Sequence, residues 1–181
     1  MRCKTNALLE INHCFHQRSY VDWKYSHIAD LVRTPPKRRL GNGNRVAYRF
    51  VTRSLPELTP YYRRFYGSGK KSVPQIELDS LTLAVWFMDD GCRSRNAVYL
   101  NTQQFDEATQ RHLLEMLWKQ WRIDGTLNRD KCYQRIRVSV KGTSSVQLLN
   151  REVRAAGIEI QAPASGPVTT GPPKSPVAAS A

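Results

Sequence analysis

The chain has 181 residues, of which 40% are hydrophobic and 24% charged, with a formal net charge of +13. That length supports one compact domain, or two small half-domains, with a real core. The longest apolar run, over residues 81–88, is too short to span a bilayer, and the polar and mixed residues after Met1 do not form a signal peptide. These features disfavour a membrane or secreted protein, and we expect an intracellular protein of a bacterial cytoplasm or an organelle matrix.

The first half of the chain is predicted to alternate strand and helix. Weak alternation of apolar and polar residues predicts a strand over residues 6–13, and apolar residues at helical spacing predict a helix over residues 18–32. Clear alternation over residues 45–53 predicts a second strand, and residues 58–66 are predicted to form a short helix.

The second half repeats this order. Its predicted elements lie at residues 78–90 (helix), 97–105 (strand), 106–121 (helix, capped by Asp106), 132–140 (strand) and 144–156 (helix). The sequence therefore predicts an α+β fold of two pseudo-repeated halves, residues 1–74 and 75–160. A tail rich in Pro, Ala and Ser follows over residues 161–181 and is expected to be disordered.

The positive charge is concentrated in the first half. Residues 1–74 hold 15 Lys and Arg against 4 Asp and Glu, a net of +11, whereas residues 75–160 hold 12 against 11, a net of +1. Such a basic surface is the electrostatic signature of a polyanion partner, and it favours nucleic acid. A basic surface that only confers solubility is the alternative.

Two predicted strands, one in each half, carry arginines on the face opposite their apolar residues. They are Arg49 and Arg53 in the first half and Arg135 and Arg137 in the second. A sheet with one apolar and one basic face can pack helices behind it and lay the other face along DNA, where arginines read guanine edges or neutralise phosphates. These four are candidate DNA-binding residues, although the solvated side of any half-buried sheet would show the same pattern.

The cysteines do not predict a metal site. Four are present, at positions 3, 14, 92 and 132, and no two form a CxxC pair of the kind that holds structural zinc. His13 and His16 flank Cys14, but a zinc site needs a second ligand pair at matching spacing. We therefore interpret the cysteines as ordinary residues of a protein in a reduced compartment.

The sharpest feature is the segment LAVWFMDDG over residues 83–91, in which an apolar helix ends in Asp89, Asp90 and Gly91. Acids at a helix C-terminus face the negative end of the helix dipole, so both the dipole and burial disfavour them. A bound divalent cation such as Mg²⁺, which selects carboxylate oxygens, would make the local electrostatic energy of these acids favourable instead. Because neighbouring helical residues point about 100° apart, only one of the two acids can face a given site. The alternative is a frayed helix end with both acids in water.

This segment resembles the signature helix of the LAGLIDADG homing endonucleases, in the intron-encoded branch whose motif often reads WFMDDG. Three further stretches are similar to the same branch and occur in the expected order. They are HCFHQRSYVDWK at residues 13–24, SLPELTPYYRRFYGSGKKSVP at residues 54–74 and YLNTQQF at residues 99–105. The resemblance covers roughly residues 5–155, and the combination is specific although each stretch alone is not.

The resemblance implies two αββαββα halves, whose motif helices pack side by side and whose antiparallel sheets lie over the major groove of double-stranded DNA. It also implies a site-specific endonuclease in which the last motif acid, here Asp90, binds Mg²⁺ with Gly91 closing the helix at the metal. By the same resemblance Gln103 orders water near the metal, Gln17 holds the equivalent place in the first half, and Lys71 stabilises negative charge near the phosphate. The alternatives are a strand-end amide for each glutamine and a solvent or phosphate contact for Lys71.

The chain departs from the family at its start. Residues 1–5 contain no apolar helix and no acid, so the first half is expected to be incomplete, without its motif helix and catalytic carboxylate. Leu83, Trp86 and Phe87 are then expected to lack a packing partner, and a second chain or a missing N-terminal segment would have to supply the second acid. Two alternatives to an endonuclease stay open: a maturase that binds intron RNA through the same basic surface, and a catalytically inactive remnant.

Overall fold

The computed structural model describes residues 1–41, 45–94, 97–130, 132–139, 151 and 153–155. These residues include the four α-helices and nine β-strands given below. The helices are α1 (Arg18–Ile28), α2 (Thr59–Tyr66), α3 (Ser80–Asp90) and α4 (Glu107–Trp121). The strands are β1 (Arg2–Cys3), β2 (Ala7–Leu8), β3 (Glu10–Cys14), β4 (Lys37–Leu40), β5 (Val46–Val51), β6 (Gly91–Ser94), β7 (Ala97–Leu100), β8 (Gly125–Asp130) and β9 (Tyr133–Ser139). The predicted helix over residues 144–156 lies largely, and the predicted tail over residues 161–181 wholly, outside the described residues.

Each half of the chain forms one larger antiparallel sheet, and the two share a topology; a small sheet of β1 and β2 precedes them. In the first sheet the spatial order is β3-β5-β4, and in the second it is β6-β7-β9-β8. The succession β3, α1, β4, β5 is therefore repeated by β7, α4, β8, β9 in both chain order and strand pairing. The predicted pseudo-repeat of an α+β fold is confirmed at the level of topology.

The main core lies in the second half, between its sheet and the helices α3 and α4. Central strands contribute fully buried side chains from one face, such as Val98 and Ile136, and α4 contributes Leu113 and Leu117 at the predicted spacing. Asp106 caps α4 as predicted, because its side chain accepts a hydrogen bond from the Thr109 N–H in the first turn (2.8 Å). This core holds the motif helix against its own sheet.

The first half packs α1 across its sheet and against the motif helix. Tyr25 of α1 meets Phe50 of β5 edge to face, with ring centroids 5.6 Å apart. A second cluster joins α1 to α3, with Tyr20 and Ala84 buried at its centre and Trp23 packed against them. Within the described part of the chain, no helix is both long and apolar enough to cross a membrane.

Several details differ from the sequence prediction. The first helix ends at Ile28 and not at residue 32, because a 3₁₀ turn follows and Val32 then pairs with Thr52. The strand predicted over residues 97–105 ends at Leu100. The expectation that Leu83 lacks a packing partner is wrong, since this side chain is 1% exposed within the main core. Trp86 and Phe87 are likewise packed against that core.

Candidate functional site

The motif helix α3 ends where its own sheet begins. A Cβ atom at Gly91 would run into the carbonyl oxygen and the ring of Phe87, so the direct passage from α3 into β6 requires glycine. On the other side of the turn, the backbone carbonyl oxygen of Asp90 accepts a hydrogen bond from the Asn101 N–H (2.8 Å). The backbone of Asp90 is therefore fixed to the end of β7, and its side chain starts from a defined position.

The Asp90 carboxyl is partly buried and surrounded by charge. Burial raises the pKa of this carboxyl, and the adjacent Asp89 adds to the rise, while the positive charges of Lys71 and Lys24 oppose it. Among the described residues no ion pair reaches Asp90. A half-buried carboxylate without a counter-ion is a site at which a cation would be favourable.

The neighbouring Asp89 has a partner from the first half of the chain. The ammonium group of Lys24, in α1, lies 2.6 Å from the Asp89 Oδ1 atom, and the His13 Nε2 atom lies 3.5 Å from the same oxygen. The Lys24 side chain is only 8% exposed, whereas that of Asp89 is 36% exposed. The two adjacent acids of the motif thus differ in environment: Asp89 is neutralised by a buried lysine and Asp90 is not.

A cleft of about 490 Å³ opens beside α3, and both acids border it. Its wall is mainly apolar and includes Phe65, Val73, Ile76, Leu81, Val85, Trp86 and Phe105. Lys71 also lines this cleft, and its ammonium group lies 5.2 Å from the centre of the Phe105 ring. Leu81 remains 43% exposed at the cleft, so this side of α3 presents apolar surface to it.

The two candidate glutamines have different positions. The Gln103 side chain donates to the Asn101 Oδ1 atom (3.5 Å), and Asn101 is the residue that fixes the Asp90 backbone. Gln17 precedes α1, where its Oε1 atom accepts from the Cys14 thiol (3.5 Å). The structure therefore brings Asp90, Lys71 and the segment of Gln103 to the end of α3.

Of the two arginines predicted for the basic face of the first sheet, Arg49 lies within β5 and Arg53 does not. Arg49 lies opposite Lys37 in the register of β4 and β5, and Arg39 is two residues further along the same face of β4. Arg49 also forms an ion pair with Glu10 of β3 (3.1 Å). Arg53 lies beyond the end of β5, and its guanidinium donates to the backbone carbonyl oxygen of Asp30 (2.7 Å).

The second sheet shows the same arrangement. Arg135 and Arg137 alternate along β9 with the fully buried Ile136 and Val138, so the arginines occupy the face away from the core. The Arg135 guanidinium lies 4.1 Å from the centre of the Tyr99 ring on the neighbouring strand. Such a contact orders the arginine by a cation–π interaction.

The donor atoms at the end of α3 fit a magnesium ion that is completed by other ligands. Within the described residues no cluster of three or more His, Cys, Asp or Glu side chains could hold a metal. Mg²⁺, however, is commonly bound by one or two carboxylates together with waters and substrate phosphate oxygens. Asp90 offers one such carboxylate, at the point where Gly91 starts the next strand.

Sequence reasoning missed the residues around Asp89. Lys24 and His13 make their contacts across 65 and 76 positions of sequence, so local spacing gave no sign of them. One signal was available, because Lys24 follows Tyr20 and Val21 by one helical turn and so falls on the buried side of α1. The basic strand β4 was also missed, although its residues 37–39 form the densest positive run of the chain.

The chain belongs to the LAGLIDADG DNA endonuclease family, whose sequence model matches residues 2–148. This match confirms the resemblance drawn from the motif helix and the three flanking stretches. In structure, the chain is similar to the homing endonuclease I-WcaI bound to its DNA recognition sequence, with a TM-score of 0.70 and 22% identity. The similarity covers 86% of this chain and 74% of that one, and it confirms the fold.

Curated relatives are similar to about half of the chain. One is the protein RecA of Mycobacterium gastri, 41% identical over 91 residues, which are 48% of this chain and 20% of that protein. Another is the cytochrome b mRNA maturase bI2 of Debaryomyces hansenii, 28% identical over 96 residues, which are 50% of this chain and 37% of that protein. The chain thus spans between a fifth and two fifths of the length of these relatives.

Proposed function

We propose that the chain acts as a site-specific endonuclease that hydrolyses phosphodiester bonds of double-stranded DNA. The observation that carries this proposal is the position of Asp90. It is a half-buried carboxylate without an ion-pair partner among the described residues, placed at the end of the motif helix beside a cleft that Lys71 also lines. The family membership supports the reaction class, and the position of Asp90 supports its assignment as the residue that carries the reaction.

The cofactor of this reaction is Mg²⁺, held by the Asp90 carboxylate at the turn formed by Gly91. When bound, the metal ion lowers the pKa of a coordinated water and neutralises charge that develops on the leaving oxygen. The chain's own residues have three tasks. Asp90 holds the ion, Lys71 places a positive charge near the scissile phosphate, and Gln103 orients water through its hydrogen-bonding amide.

Affinity for DNA comes from the basic faces of the two sheets. Lys37, Arg39 and Arg49 on the first sheet neutralise phosphates, and Arg135 and Arg137 on the second lie among polar residues that can reach base edges. The concentration of positive charge in the first half, +11 over residues 1–74, makes binding steeply dependent on salt.

Cleavage of both strands needs a second acid beside Asp90. The topology of the second half begins with α3, and the repeated unit of the first half has no helix before β3 within the described residues. We propose that a further N-terminal segment or a second chain supplies this helix and its carboxylate. The apolar cleft along Leu81, Val85 and Trp86 is the surface that such a helix would cover.

A plasmid library with randomised inserts tests the proposal. Wild-type protein with Mg²⁺ should cut a defined subset of inserts, in one strand where Asp90 acts alone and in both strands where a second chain supplies the other acid. Sequencing of the cut ends would identify these inserts. Asp90→Asn should abolish cutting and leave DNA affinity in Ca²⁺ within about twofold, whereas the matched control Asp124→Asn, at an exposed aspartate beyond α4, should cut like wild type. Wild-type protein that binds DNA but cuts no insert, or an Asp90→Asn variant that still cuts, would refute the proposal.

A second function is favoured by the similarity to the maturase of Debaryomyces hansenii. In this alternative the chain binds intron RNA and assists group I splicing through backbone and shape contacts of its basic sheets. Asp90→Asn would then leave splicing assistance unchanged, while loss of Arg49 and Arg39 would reduce it. Splicing of a group I intron transcript with and without the protein separates this function from DNA cleavage.

A further inference from the structure

We propose that Lys24 is a positioning residue that keeps Asp89 out of the metal site and so leaves Asp90 as the single acidic ligand that this chain provides. The proposal rests on the proposed function and deepens it, because it concerns how one of two adjacent carboxylates is selected. Lys24 is not part of the motif, whereas its partner Asp89 is. The lysine comes from α1, in the other half of the chain.

The contact has the geometry of a fixed, buried ion pair. The Lys24 ammonium lies 2.6 Å from Asp89 Oδ1, 3.2 Å from His13 Nε2 and 4.3 Å from the centre of the Tyr20 ring. With 8% of its side chain exposed, the lysine has little water to replace these partners. A buried ammonium without its carboxylate is strongly unfavourable, so Asp89 is held where Lys24 is.

The contact matters because Asp89 and Asp90, although about 100° apart around the helix, both border the same cleft, contrary to the expectation that only one of them could face a given site. Two free carboxylates on consecutive residues would repel each other and would together attract a divalent cation. A cation shared by both would be displaced from the position that Asp90 alone defines, and a displacement of about 1 Å from reacting geometry is enough to lower a rate substantially. Because Asp89 is paired with Lys24, it does not bind the cation together with Asp90.

The surroundings of Lys24 are arranged to hold it in place. Tyr20 and Lys24 are one helical turn apart on α1, so the ring covers the lysine stem and faces the ammonium. The Tyr20 hydroxyl donates to the backbone carbonyl oxygen of Val85 in α3 (3.3 Å), which fixes the same two helices one turn earlier. The lysine therefore cannot turn toward the cleft without breaking contacts that join the halves.

The test compares Lys24→Met with the double variant Lys24→Met/Asp89→Asn, by Mn²⁺ binding in electron paramagnetic resonance and by cleavage at varied Mg²⁺. Lys24→Met frees Asp89, so we expect Mn²⁺ affinity to rise about threefold to tenfold and kcat to fall at least about tenfold. The double variant removes the freed charge and should restore both quantities to within about threefold. Lys119→Met is the matched control, since it breaks an ion pair of the same length (2.6 Å) on the exposed side of α4.

A purely structural role would give a different pattern. It would lower the unfolding midpoint of Lys24→Met without tighter Mn²⁺ binding, and Asp89→Asn would not rescue cleavage; either result overturns the proposal. If Lys24→Met does not fold, Asp89→Asn alone is measured, because a carboxylate that is kept out of the metal site adds little to Mn²⁺ affinity. A loss of affinity of more than about threefold would then overturn the proposal. If wild-type protein cuts no DNA, the proposed function fails, and the Mn²⁺ comparison alone still decides the role of Lys24.

Discussion

The hydroxyl group of Tyr20 donates a hydrogen bond to the backbone carbonyl oxygen of Val85, and this contact joins α1 of the first half to the middle of the motif helix. One turn further along both helices, Lys24 meets Asp89. The two contacts lie on the same side of α3, opposite the main core that holds Leu83. The motif helix is therefore fixed by its own sheet from one side and by the first half from the other.

Tyr20→Phe should weaken this junction without creating a cavity. Loss of one partly buried hydrogen bond is expected to lower the free energy of unfolding by about 0.5–1.5 kcal/mol. Urea denaturation followed by tryptophan fluorescence measures the change, because Trp23 stacks on the Tyr20 ring. The control is Tyr61→Phe, at a side chain that is 59% exposed. Equal stability of the Tyr20 and Tyr61 variants would show that the contact contributes nothing.

Gly91→Ala should damage the site through the backbone. The added methyl group would overlap the carbonyl oxygen and ring of Phe87, so α3 and β6 would have to separate. We expect a loss of about 1–3 kcal/mol in unfolding free energy, the usual effect of overpacking, together with lower Mg²⁺-dependent cleavage. Gly41→Ala, whose added Cβ would meet nothing closer than the Arg45 carbonyl oxygen at 3.4 Å, controls for a general effect of losing glycine. Wild-type stability of Gly91→Ala would contradict the close approach.

The sequence predicted the central strands of the two larger sheets and missed most of their edge strands. The central strands β5, β7 and β9 contain buried apolar residues, and all three were predicted, as was most of the edge strand β3, within residues 6–13. The missed strands β4, β6 and β8 are edge strands of these sheets, and the two-residue β1 was missed as well. Charged and polar residues are common at sheet edges, where they oppose further strand pairing, and a segment such as KRRL or GCRS carries no periodic apolar signal.

In the candidate site, too, features set by neighbouring residues could be predicted and features set by distant residues could not. The pair of Asp89 and Asp90 could be found because two acids at the end of an apolar helix are locally unfavourable, and the family resemblance then singled out Asp90. The different environments of Asp89 and Asp90 could not be found, because they depend on Lys24, 65 residues away in sequence. Lys71 and Gln103 were candidates only through family resemblance, and their roles stay predictions.

Neutralising the basic face of the first sheet should weaken DNA binding in a salt-dependent way. The double variant Arg39→Gln/Arg49→Gln removes two charges from one face of adjacent strands. If both contact phosphates, the slope of log K against log salt concentration should become shallower by about 2. Fluorescence anisotropy of labelled DNA at salt concentrations between about 50 and 300 mM measures the slope. Arg111→Gln, on the exposed face of α4 where Arg111 pairs with Glu107, should leave it unchanged. An unaltered slope in the double variant would remove this face from the interface.

The position of His13 predicts a loss of stability in mild acid. Burial lowers the pKa of the His13 imidazole, the positive charge of Lys24 lowers it further, and Asp89 and Gln17 oppose the shift. Between this lowered pKa and the ordinary value of about 6.5, the unfolded chain binds a proton that the folded chain does not. The contribution of neutral His13 to the free energy of unfolding is therefore fully present above about pH 6.5. It decreases as the pH falls from there toward the lowered pKa of the folded protein.

Urea midpoints measured from pH 7.5 down to about 5, above the range where most carboxyl groups titrate, test this sign. The midpoint of the wild-type protein should fall over the interval, and His13→Gln, which cannot take up a proton, should flatten the dependence. His16→Gln, at an exposed histidine three residues away, should retain the wild-type slope. A wild-type midpoint that rises toward acid pH would mean that Asp89 outweighs burial and Lys24 at His13. The neutral imidazole beside the Lys24–Asp89 pair would then be the wrong protonation state for the folded protein.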